Sequence, residues 1–111
     1  MPAKFELKTA KNSQFFFNLK ATNGEVILTS EMYKSKASAK NGIESVKTNA
    51  ASDERFEKKT NSKGKPFFVL KAANHQVIGN SESYETEKAR DGGIAAVKKA
   101  APGAATDDLT K

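Results

Sequence analysis

The chain contains no cysteine and no tryptophan, and its only histidine is His75. Without thiols there can be no disulfide framework, no cysteine-bound zinc or iron–sulfur cluster and no thiol nucleophile. One imidazole by itself builds neither a multi-histidine metal site nor a proton relay. No apolar run in the chain approaches the roughly 20 residues needed to cross a bilayer. The N-terminus lacks the basic-then-apolar pattern of a signal peptide, so a cytoplasmic protein with no membrane association is expected. There is no phosphate-binding glycine loop, and no pair of carboxylates is set apart by its spacing. No catalytic residue, cofactor or metal is therefore expected.

What is present fits one small domain. A chain of 111 residues that is 37% hydrophobic can bury a single core. The formal net charge of +6 favours solubility and attracts polyanions without specifying one.

The chain is also written twice. Sliding it against itself by 51 positions aligns Phe5 with Phe56 and Val46 with Val97 without a gap. Phe16-Phe17-Asn18-Leu19-Lys20-Ala21 returns as Phe67-Phe68-Val69-Leu70-Lys71-Ala72. Two copies are too few for a solenoid, and each is small for a core of its own. One domain spanning residues 1–111 with pseudo-twofold symmetry is expected, with repeats at 4–50 and 55–101. Residues 102–111 read as a flexible tail, with a short terminal strand as the alternative.

Within each copy, Phe5 and Leu7 alternate with Glu6 and Lys8, the period of a half-buried strand. Phe15, Phe17, Leu19 and Ala21 then alternate with Phe16, Asn18 and Lys20. Asn23-Gly24 suits a tight type I′ hairpin leading into a third strand, Val26-Ile27-Leu28. Ser35 is placed to cap a helix whose Ala39, Ile43, Val46 and Ala50 form one apolar stripe, repeated by Ala89, Gly93, Ile94, Val97 and Ala101. Gly42 and Gly93, inside these helices, point to close packing against the sheet. Pro66 suits the start of an edge strand. The fold class is α+β: two tandem β-β-β-α repeats forming one antiparallel sheet, with both helices on one face.

These residues resemble the YegP-like family of uncharacterised bacterial proteins. The resemblance spans nearly the whole chain and rests on Phe5-Glu6, Phe17-Asn18-Leu19-Lys20-Ala21, Asn23-Gly24-Glu25, Ile27-Leu28-Thr29-Ser30-Glu31, Tyr33 and Lys71-Ala72-Ala73-Asn74-His75-Gln76. It implies the same double-repeat sheet and brings no catalytic or binding residue with it.

The leading functional surface is the sheet face turned away from the helices, carrying Phe16, Asn18, Lys20, Phe67, Val69 and Lys71 beside Glu6, Lys8, Glu57 and Lys59. Partly covered phenylalanines on an open sheet fit a protein partner, and the expected function is a non-enzymatic binding module acting as a monomer. The alternative is single-stranded nucleic acid, with bases stacked on Phe16 and Phe67 and phosphates met by lysines. A third reading is a small-ligand or enzymatic pocket around the retained pairs Glu31/Glu82 and Tyr33/Tyr84, which serve equally well as structural fasteners. Lys34, Lys36 and Lys40 cluster at the entrance of the first helix, as in a double-stranded RNA binder. Their second-copy equivalents Glu85, Glu87 and Asp91 reverse the sign, which favours an ordinary solvated helix face.

Overall fold

The computed structural model describes residues 3–110. The first repeat forms β1 (Lys4–Thr9), β2 (Phe15–Lys20), β3 (Val26–Ser30) and α1 (Lys36–Asn49). The second forms β4 (Phe56–Thr60), β5 (Pro66–Lys71), β6 (Val77–Asn80) and α2 (Glu87–Ala100), and β7 (Ala105–Asp108) follows. The strands make one sheet in the order β4-β5-β6-β3-β2-β1-β7. The two meanders meet at β3 and β6, antiparallel, with Thr29 opposite Asn80 and Ser30 opposite Gly79. That junction is the pseudo-dyad.

Alternation divides the strands as their sequences require. Phe5, Leu7, Phe17, Leu19, Leu28, Phe68 and Leu70 are fully buried in one core with Ala39, Ile43 and Val46 of α1 and Ile94 and Val97 of α2. Each such Phe or Leu contributes about 1.5–3 kcal/mol on burial. Both helices begin on a hydroxyl cap: Ser35 Oγ accepts from the Ser38 amide at 3.1 Å, and Thr86 Oγ1 from the Ala89 amide at 3.0 Å. These bonds satisfy amides that the first turn leaves without partners.

Three local expectations are corrected. The β2–β3 turn is not type I′: the Gly24 amide bonds Ala21 O at 2.9 Å, and of the Asn23-Gly24 pair only Gly24 has positive φ. This is a type I turn followed by one left-handed residue, a longer hairpin loop that needs a single positive φ. His75 takes the same conformation in the second copy, with φ 69°. Second, Pro66 does not mark an edge strand, because β5 lies between β4 and β6. Its position as the first strand residue is what makes it tolerable. In the first copy Phe15 and Tyr33 exchange two backbone bonds of 2.7 Å; in the second only Tyr84 N to Pro66 O remains, at 2.8 Å.

The third correction concerns the tail. Residues 105–108 are not a frayed end but the strand β7, which runs parallel to β1 with Phe5 opposite Thr106 and Leu7 opposite Asp108. The sheet is therefore mixed rather than wholly antiparallel. Asp108 pins the end of β7 by accepting from the Thr110 amide at 3.0 Å and the Thr110 hydroxyl at 2.6 Å, with Lys36 Nζ at 3.3 Å.

Candidate interaction face

Strand alternation places Phe16, Asn18 and Lys20 of β2 on the helix-free face, with Lys4, Glu6 and Lys8 of β1 beside them. Cross-strand pairing sets Lys8 opposite Phe16, Glu6 opposite Asn18 and Lys4 opposite Lys20. The second copy repeats this with Lys59 opposite Phe67 and Glu57 opposite Val69. Phe16 and Phe67 are half-buried. The middle of the face is closed by its neighbours: Asn18 is 7% exposed and Val69 6%, whereas Ile27 and Ile78 are not on this face, because register shifts opposite them turn both into the core. Asn18 is also occupied, its amide donating to Thr29 Oγ1 at 3.0 Å. Of the six residues expected here, Phe16, Lys20, Phe67 and Lys71 are the accessible ones.

The lysines do not stand free. Glu6 is buried among Lys20 at 3.1 Å, Lys4 at 3.4 Å and Lys8 at 3.5 Å. Burial pushes its carboxyl up, but the three ammonium groups, Lys20 foremost, outweigh that and hold it below its ordinary value. Lys71 meets Glu57 at 2.5 Å and lowers it likewise. Alternation put Glu6 and Lys8 on this face, but it could not show three cations converging on one carboxylate. That convergence depends on the β1–β2 register.

Lys34 and Lys40 are exposed, while Lys36 is paired with Asp108 of β7. Of their second-copy equivalents, Glu85 pairs with Lys65 at 2.8 Å and Asp91 with Lys58 at 3.3 Å, while Glu87 is exposed. Tyr33 stacks on Phe17, with centroids 6.2 Å apart and planes 11° apart, and Tyr84 stacks on Phe68 at 6.4 Å and 9°. Phe5 and Phe56 meet those phenylalanines edge-on. Burial raises both phenols, Tyr33 further because of Glu31 and Tyr84 because of Glu82 and Glu25. Glu31 and Glu82 are exposed; Glu31 and Tyr33 line an open cavity of about 300 Å³ with Asn41, Asn74 and Gln76. Among the described residues no cluster of His, Asp or Glu suits a metal ion.

The arrangement defines a tandem-repeat α+β domain with one uncovered sheet face. The chain belongs to the family described as Domain of unknown function (DUF1508), which matches it twice, over residues 10–57 and 61–108. Each matched segment runs from the first hairpin of one repeat through the helix into the strand that follows, so β7 is the counterpart of the start of β4. The chain is 57% identical to UPF0339 protein YegP of Yersinia pestis, over 96% of this chain and 95% of that one. It is 53% identical to a UPF0339 protein of Acinetobacter baylyi, over 99% of both. The solution structure of a UPF0339 protein from Shewanella oneidensis matches with TM-score 0.93 at 50% identity, over 99% of this chain and 93% of that one. That of yegP from E. coli matches with TM-score 0.93 at 53% identity, over 99% and 95%. No helix is long and apolar enough to cross a membrane among the described residues.

Proposed function

We propose that the protein is a non-enzymatic, cytoplasmic protein-interaction module that binds through its helix-free sheet face. The observation that carries this reading is the repeated cross-strand pair, Lys8 with Phe16 and Lys59 with Phe67, on a face no helix covers. A half-buried aromatic ring beside a lysine stem offers apolar contact area at little ordering cost, the usual chemistry of an interface anchor. The pseudo-dyad duplicates the anchor within one monomer.

The internal pairing of the lysines favours a protein partner over a polyanion. Lys20 and Lys71, the cations best placed to meet phosphates, already face Glu6 and Glu57. A nucleic acid would have to displace those carboxylates before gaining from counterion release. A photo-crosslinking amino acid at position 16 or 67 should yield the same protein adduct in cells, and one at exposed Lys88 on α2 should not. Adducts to RNA from positions 16 and 67, or equal protein adducts from all three, would defeat the proposal.

A further inference from the structure

The two ends of the sheet differ. β7 covers the outer edge of β1, whereas the outer edge of β4 has no strand beside it among the described residues. The repeat equates β4 with β1 and α2 with α1, so the groove between β4 and α2 is the counterpart of the one that β7 closes. That second groove is an open cavity of about 440 Å³ lined by Phe56, Lys58, Asp91, Ile94 and Lys98, among others. Burial records the missing strand. Phe5 is 0% and Ile43 1% exposed, while their counterparts Phe56 and Ile94 are half-buried and 9% exposed.

We propose that this groove binds an extended acidic peptide segment, which adds to the edge of β4 in parallel, as β7 adds to β1. The unpaired amides and carbonyls along the outer edge of β4 supply the main-chain bonds of strand addition. The side-chain preference follows from the register. Asp108 lies opposite Leu7, and the repeat puts Lys58 in the place of Leu7. A segment docked in that register sets its acidic residue against Lys58, whose ammonium now has Asp91 at 3.3 Å. Lys98, in the same groove, already meets Asp53, so an acidic segment has to exchange with Asp91 and Asp53 at these two cations.

An inward-pointing lysine on an edge strand repels apolar strands, because docking would strip water from the ammonium. A carboxylate removes that penalty, so the guard becomes a selector. A second copy of this chain fits less well: pairing β4 with β4 antiparallel so that Glu57 meets Lys59 places Lys58 against Lys58.

The test titrates a free peptide of this chain's own residues 104–110 into isotope-labelled protein, alongside an analogue carrying Asp107→Asn and Asp108→Asn. The expected result is saturable amide shifts along β4 and residues 91–98 of α2, abolished with the analogue. In Lys58→Glu binding should weaken about tenfold or more, with the remaining amides unmoved. Shifts confined to β1 and its neighbours, equal binding of the analogue, or no shifts at millimolar peptide would overturn the proposal. So would concentration-dependent broadening of β4 signals without peptide, which would assign the edge to a second copy.

Discussion

The hydroxyl of Tyr33 lies where a Cβ on Gly42 would have to go, and the hydroxyl of Tyr84 does the same at Gly93. The helical glycines are there to let a tyrosine slide between helix and sheet. Gly92, the neighbour of Gly93, has nothing within 4 Å of its Cβ position. Adjacent alanine substitutions should therefore act in opposite directions. Gly93→Ala should cost about 1–3 kcal/mol through overpacking against the ring. Gly92→Ala should add about 0.5–1 kcal/mol by favouring the helix. Urea unfolding of both variants measures the two signs.

Among the described residues, two with side chains occupy left-handed backbone, Ser13 with φ 67° and His75 with φ 69°. At each equivalent position the other repeat uses glycine: Gly64 with φ 81° and Gly24 with φ 84°. His75→Gly and Ser13→Gly should each stabilise by about 0.5–1 kcal/mol, the relief of left-handed strain less the glycine entropy. A shift in urea midpoint at constant slope checks this.

Glu6 gives stability a defined pH dependence. Its carboxyl is held below the ordinary 4.5 by Lys20, Lys4 and Lys8. The folded state thus binds its proton less readily than the unfolded chain does. The contribution is complete above pH 4.5 and is lost as pH falls through the lower folded value. Thermal unfolding should show Glu6→Gln less stable at neutral pH, with a shallower decline in acid than the parent.

Asp108 titrates separately. Its bonds to the Thr110 hydroxyl and amide, together with Lys36, hold it down to about 2 from 3.8. The Thr110 amide signal should move with a midpoint near 2. Asp108→Asn should speed amide exchange in β7 and leave β2 and β5 protected.

The fold was legible because the repeat, the two-residue alternation and the helical stripe agree with one another. Phe17 and Leu19 could only be core once Phe16 and Lys20 fell on the other face. The features that escaped depend on what happens between elements. β7 has little apolar content of its own, and it is ordered by the edge of β1 and by Asp108 rather than by a pattern in Ala105–Asp108. The repeat called for a pseudo-dyad but not for its place, at the β3–β6 junction. At Gly79, the counterpart of Leu28, a Cβ would lie 2.7 Å from Thr29 O and 3.3 Å from Leu28 Cγ, so the symmetric residue could not also be leucine.

The polar residues kept in both copies were ambiguous in sequence because a fastener and a ligand group use the same atoms. The fold uses two of these pairs as fasteners. Ser30 Oγ accepts from the Phe17 amide at 2.9 Å and donates to Glu31 O at 2.8 Å, and Ser81 does the same between Phe68 and Glu82. Asn23 and Asn74 each hold a hairpin by accepting an amide two residues on, at 3.0 Å. Ser30→Ala should cost about 1–3 kcal/mol, since the buried Phe17 amide loses its acceptor.

The most direct test of the helix-free face as an interface is a comparison of the parent with Phe16→Ser/Phe67→Ser, measuring both melting temperature and recovery of the protein crosslinked at position 20. The account predicts a double variant that still melts cooperatively and no longer recovers that partner. Undiminished recovery would contradict it, and so would loss of the folded state, which would assign both rings to the core.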